Sequence, residues 1–173
     1  VDGSLAVGFD AYNGYSFGYN TIVLSENNVR IKFEDTSTTG AFPSNDWSLV
    51  ANDTNDGGED YFSIRDEDTQ LDLFKVMAGA PANSLYINES GKIGFSTYTP
   101  VLELHIKDGD TPGIRFEQDN SNGWNPQTWD IAGNESSFFI RDITNGSLYP
   151  FKIKPGAPSG SFYIASDGNI GIG

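Results

Sequence analysis

The chain has 173 residues, 37% hydrophobic and 13% aromatic, which is apolar material for one ordinary domain or two small ones. Its 24 acidic and 10 basic residues give a formal charge of −14, so nucleic acid and anionic membranes, both bound through Lys and Arg, are excluded as expected partners. There is no cysteine, hence no disulfide or thiolate metal site, and no apolar run approaches the roughly 18 residues of a spanning helix, so no membrane insertion is expected.

Residues 1–27, "VDGSLAVGFDAYNGYSFGYNTIVLSEN", place Gly8 and Gly18 ten residues apart, each in a short phrase of small and apolar residues. This predicts a short β-roll-like segment, coiled with little side-chain volume near its axis. The first residues lack the basic-then-apolar pattern of a signal peptide, so an exported parent protein would carry its signal upstream or have lost it.

From residue 28 onward apolar and polar residues alternate. "VRIKF" from Val29, "YFSIRD" from Tyr61 and "LELHI" from Leu102 all have the period of half-buried strands. Clusters such as "NDTNDGG" and "DNSNG" between them are turn chemistry. No amphipathic helical window of useful length is present, so the predicted class is all-β.

The chain also repeats itself. "IKFEDTS" at Ile31 matches "IRFEQDN" at Ile114, "DWSLVAN" matches "TWDIAGN" around Trp129, and "YFSIRD" matches "FFIRD". "LFKVMAGAP" at Leu73 matches "PFKIKPGAP" at Pro150, and "SLYINESGKIGF" at Ser84 matches "SFYIASDGNIGIG" at Ser161. The offset is 83 residues from Phe33 to Phe116 and 77 from Phe74 to Phe151, so the first copy is longer by about six residues, mostly in the Asp-rich loop after Ala51. Repetition of this length predicts one structural unit used twice. The predicted organisation is a head segment 1–27, a first repeat unit with its linking strand 28–110, and a second unit 111–173. Gly91 and Gly168 fall where a two-residue hairpin turn needs positive φ.

"GKIGFSTYTPVLELHI" from Gly91 to Ile106 resembles the G-x-V-G-I-G-T-x-x-P…L-H-V phrase of long bacterial surface proteins and phage tail-fibre-like proteins, many of which end in an endosialidase-type self-cleaving chaperone. "FPSNDWSLVANDTNDGG…YFSIRD…GAPANSLYI" resembles the repeat that often precedes that phrase, and together the two cover most of residues 28–173. "SLAVGFDAYNGYSFGYN" is similar to the S-x-A-x-G head repeats of trimeric autotransporter adhesins, with Phe17 where a small residue is usual. The resemblance implies an elongated, intertwined homotrimer located extracellularly, on a cell surface or a phage-like particle. It also implies that the phrase broken off at Gly173 continues in the parent protein, leaving the second unit truncated, and it assigns no self-cleavage to this chain.

Candidate chemistry is sparse. The single histidine, His105, lies on an alternating strand with no serine or acid motif around it, and no pair of carboxylates stands out for glycosidase work. The loop "DTNDGGED" from Asp53 to Asp60 offers oxygen ligands, but its spacing fails the EF-hand pattern and the second unit does not repeat it, so neither metal nor cofactor is expected. Trp47 and Trp129 occupy equivalent repeat positions and predict core or interface packing. Trp124, in "NSNGWNPQ", has no counterpart and is the candidate ligand-binding aromatic, for a sugar or a protein surface.

These readings point to a non-enzymatic structural or adhesive segment of a trimeric extracellular fibre, whose partners are its own copies and a surface glycan or host receptor. Units of this size are small for independent cores, lack disulfides and have many strand edges to cover, and trimerisation answers all three needs. The alternative is a monomeric carbohydrate-binding module of β-sandwich-like repeats with exposed aromatics, from a secreted protein.

Overall fold

Alternation of branched and aromatic residues with polar ones produces strands throughout. The structure, a computed structural model, describes residues 3–173, and within them lie fifteen strands and no helix. The chain divides into two compact units, Val1–Ala80 and Pro81–Gly173.

In the first unit β1 (Leu5–Val7) runs parallel to β2 (Ile22–Leu24), with Leu5 opposite Ile22 and Val7 opposite Leu24. The paired segments are 17 residues apart, so the ten-residue spacing of Gly8 and Gly18 does not set this coil. Gly8 instead packs on the returning chain, where a Cβ would lie 2.1 Å from the Ser25 carbonyl oxygen. Then follows an antiparallel meander of β3 (Val29–Phe33), β4 (Trp47–Ala51), β5 (Tyr61–Asp66) and β6 (Leu71–Met77).

The second unit opens with β7 (Tyr86–Ile87), β8 (Ile93–Phe95) and β9 (Leu104–Ile106), in which β9 joins β8 in parallel and sets His105 opposite Gly94. A second four-stranded meander contains β10 (Gly113–Gln118), β11 (Gln127–Gly133), β12 (Phe138–Asp142) and β13 (Leu148–Ile153), and the unit ends in the hairpin of β14 (Phe162–Ile164) and β15 (Ile170–Ile172).

The two meanders have matching registers. Phe33 faces Trp47 as Phe116 faces Trp129, and Ile64 faces Phe74 as Ile140 faces Phe151. Each has an irregularity on its last strand pair, beyond Ile64 and beyond Ile140. The second sheet places Pro150 there, a residue that a bulge tolerates because no ladder N–H is needed. Asp66 and Asp142 close the following turns, their Oδ1 atoms accepting from the backbone N–H of Thr69 and Asn145.

The turns at Gly91 and Gly168 differ from the two-residue form expected. The Asn88 N–H donates to the Lys92 carbonyl and the Gly91 N–H to the Asn88 carbonyl, and Ala165, Gly168 and Asn169 repeat this pattern. The loops therefore hold three residues, with Gly91 at φ 77° and Gly168 at φ 85° in the left-handed position of a bulged turn. Positive φ explains each glycine, and one added residue changes the turn type.

Candidate functional site: an apolar sheet face and a cationic cleft

Strand pairing sorts side chains onto two faces, because successive residues point to opposite sides. In the first meander one cross-strand row is Ile31, Leu49, Ile64 and Phe74, and flanking rows add Phe33 with Trp47 and Phe62 with Val76. The second meander repeats this with Ile114, Ile131, Ile140 and Phe151, flanked by Phe116 with Trp129 and Phe138 with Ile153. None of these row residues is buried: Phe33 is 56% exposed, Phe116 53% and Phe62 48%.

The opposite face holds what is buried. In the two meanders the buried apolar side chains are Val50, Tyr61, Ala132 and Phe139, accompanied by Ser48, Ser63 and Asp130. Within one chain each sheet thus buries its most enclosed residues on one side and leaves the Phe33 or Phe116 side at least half-exposed at those positions.

On the enclosed side of the second meander, β10 presents Arg115, β11 Asp130 and β12 Arg141 in one cross-strand row. Arg115 Nε donates to Asp130 Oδ1 at 2.8 Å, and Arg141 Nη2 donates to Asp130 Oδ2 at 2.6 Å. The Arg115 and Arg141 guanidiniums hold the Asp130 carboxyl down to about 2 against the opposing effect of its burial. Phe139 packs edge-on against Tyr149, ring centroids 5.0 Å apart, and Lys152 Nζ lies 4.8 Å from the Tyr149 ring centroid. These groups line a half-open cleft of about 660 Å³.

The first meander solves the same position differently. Ser48 stands where the second has Asp130, and Arg65 takes its carboxylate from Asp72 on β6, Nε to Oδ1 at 2.9 Å. The Ser63 hydroxyl donates to the same oxygen at 2.8 Å.

Of the residues singled out from sequence, Trp47 and Trp129 occupy the same register position on the apolar face of their sheets, Trp47 39% exposed and Trp129 half-buried. Trp124 sits in the β10–β11 loop, 70% exposed, beside a shallow hollow lined by Gln118, Asp119 and Asn122. His105 is half-buried on β9, and its Nδ1 makes no hydrogen bond. In the Asp-rich loop the Asp53 carboxylate accepts from the Asn55 backbone and side-chain N–H groups at 3.1 and 2.9 Å, an Asx turn. Among the described residues no three His, Cys, Asp or Glu side chains are grouped to hold a metal ion, and no helix is long and apolar enough to cross a membrane.

The cleft formed by Arg115, Asp130, Arg141 and Lys152 is missing from the sequence reading. Its signal was a mismatch between the repeats, Asp130 replacing Ser48 on an otherwise matched strand. Compared with known proteins, the chain matches no family model and no curated protein.

Proposed function

We propose that this chain is a non-enzymatic structural segment of an extracellular, elongated fibre, in which three parallel copies bury their apolar sheet faces against one another. The two meanders then act as two copies of one repeat unit. One observation carries the reading: both sheets leave apolar side chains of these rows exposed, among them Phe33, Phe62, Phe116 and Phe138.

The magnitude supports assembly. The chain exposes 13333 Å², whereas two separate compact bodies sharing its 18.8 kDa would expose about 10,000 Å². The surplus of about 3,300 Å² per chain lies in the range buried at obligate interfaces. Three copies rather than two are supported by the resemblance to tail-fibre and adhesin repeats. Electrostatics opposes crowding three chains of charge −14, and outward-facing acidic turns with salt screening over about 8 Å relieve it.

Sedimentation equilibrium tests this, with an expected mass of three times 18.8 kDa that persists on dilution to low micromolar concentration. Twice the chain mass would keep association but overturn the trimer, and a stable monomer would overturn both. The exposure of Trp124 beside amide and carboxylate groups favours the second reading, a carbohydrate-binding module. That reading expects a monomer whose glycan binding is lost in Trp124→Ala.

A further inference from the structure

The two meanders serve as a control for one another. Lys32, Arg65 and Lys75 of the first correspond to Arg115, Arg141 and Lys152 of the second. In the first sheet every one of these cations is matched. Lys32 pairs with Glu34 and Asp46, Arg65 with Asp72, and Lys75 with Glu59, four carboxylates for three cations.

In the second sheet Arg115 and Arg141 share Asp130, and Lys152 has no carboxylate within 4 Å among the described residues. Counting Asp110 at the rim, the cleft holds three cations against two carboxylates and keeps one positive charge. Three of the chain's ten basic residues are gathered here, on a protein of charge −14. The space has a cause as well. Gly113 stands opposite Ala132 where the first sheet sets Arg30 opposite Val50, so a long side chain is absent from that end of the face.

We propose that this cleft is a binding site for a carboxylate-bearing saccharide unit, such as a uronic or sialic acid residue of an acidic glycan. The Lys152 ammonium receives the carboxylate, beside the Nη1 groups that Arg115 and Arg141 leave over after giving Nε and Nη2 to Asp130. Tyr149 supplies an aromatic surface, and Ser136 supplies a hydroxyl for a ring substituent. A cleft of about 660 Å³ holds one or two sugar rings. One uncompensated charge suits one carboxylate, and the surrounding acidic surface disfavours phosphate dianions and polyanions. The site is on the face opposite the Phe116 and Trp129 rows, so it stays open whether or not copies associate through those rows.

The experiment is isothermal titration of the intact chain with 3′-sialyllactose, glucuronate, lactose and inorganic phosphate, together with light scattering on the same samples. Saturable binding of at least one of the two acidic sugars is expected, with none of lactose. Lys152→Gln should weaken it at least tenfold with an unchanged melting temperature, because Lys152 is exposed and pairs with no carboxylate. Lys75→Gln in the first sheet should leave it intact. Failure of both acidic sugars to bind at about 10 mM overturns the site, as does binding indifferent to Lys152→Gln or equalled by phosphate. A trimer that binds neither sugar removes this inference alone, and a monomer that binds one removes only the assembly.

Discussion

Phe116 and Trp129 are register partners across β10 and β11, and both turn to the side of the sheet that a single chain leaves in solvent. Phe33 and Trp47 stand in the same relation in the other sheet. An aspartate at position 116 separates the two accounts of that face. If the face is free, an exposed Phe→Asp change is worth within about 0.5 kcal/mol and nothing else happens. If copies meet there, the substitution buries three unpaired carboxylates near one another. We expect Phe116→Asp to lower the mass in sedimentation to that of one chain, and to red-shift tryptophan emission as Trp129 becomes hydrated.

Asp130 carries a different kind of weight, because it is the shared anion of two guanidiniums and is itself 6% exposed. Asp130→Asn keeps the shape and removes the charge, leaving Arg141 partly buried without a counterion. Breaking a buried pair costs about 3–5 kcal/mol, and the half-exposed Arg115 reduces this here to about 2 kcal/mol. Asp72→Asn should act likewise in the first sheet, through Arg65. Chemical denaturation of both variants, monitored by Trp fluorescence, checks the pair. An unchanged midpoint for Asp130→Asn would show that the ion triad is not a support of the sheet.

The same carboxylate sets an acid limit. Its folded value is depressed to about 2 from an ordinary 3.8, so its contribution is complete above pH 3.8 and declines as pH falls from there through about 2. The amount is on the order of 2 kcal/mol, less what solvent screens at Arg115. Melting temperature followed from pH 5 to pH 2 should therefore fall more in the native protein than in Asp130→Asn, the difference opening below pH 3.8. Parallel curves would contradict the pairing.

Strand positions were legible because segments such as Val29–Phe33 and Tyr61–Asp66 have period two. Phe33 with Trp47 and Phe116 with Trp129 could be matched by repetition before any pairing was known. Which face is enclosed was not legible. Alternation says that Ile31 and Lys32 point to opposite sides, but not that the Lys32 side encloses Ser48 and Val50 while the Ile31 side stays open. That depends on what the face meets, which is a property of more than one strand. The ion triad escaped for a related reason: Arg115, Asp130 and Arg141 are separated by 15 and 11 residues, and only the registers of β10, β11 and β12 bring them into a row. The parallel pairs β1–β2 and β8–β9 were likewise beyond a reading of spacing, since each depends on the path of the connecting loop.

The duplicated phrase that closes each repeat supplies a last test, because its two copies differ in one contact. Gly94 faces Tyr86 in β7–β8, and Gly171 faces Tyr163 in β14–β15. After Phe95 the chain doubles back through Ser96 at φ 59°, bringing Thr97, only 5% exposed, against the preceding strand. A Cβ on Gly94 would lie 2.2 Å from the Thr97 carbonyl oxygen, a backbone atom that moves only if the loop does. The nearest atom to a Cβ on Gly171 is 3.9 Å away, ordinary contact. That loop delivers β9 to the parallel edge of β8, where the Ile93 N–H donates to the Glu103 carbonyl at 2.9 Å and the Lys107 N–H to the Phe95 carbonyl at 3.0 Å. Displacing it costs those bonds along with the strain, together about 2–3 kcal/mol. Gly94→Ala should therefore lower the melting temperature by several degrees and speed amide exchange at Ile93 and Lys107, while Gly171→Ala should stay within about 0.5 kcal/mol of the native protein. Equal tolerance at the two positions would mean that β9 is not held to β8 by this loop.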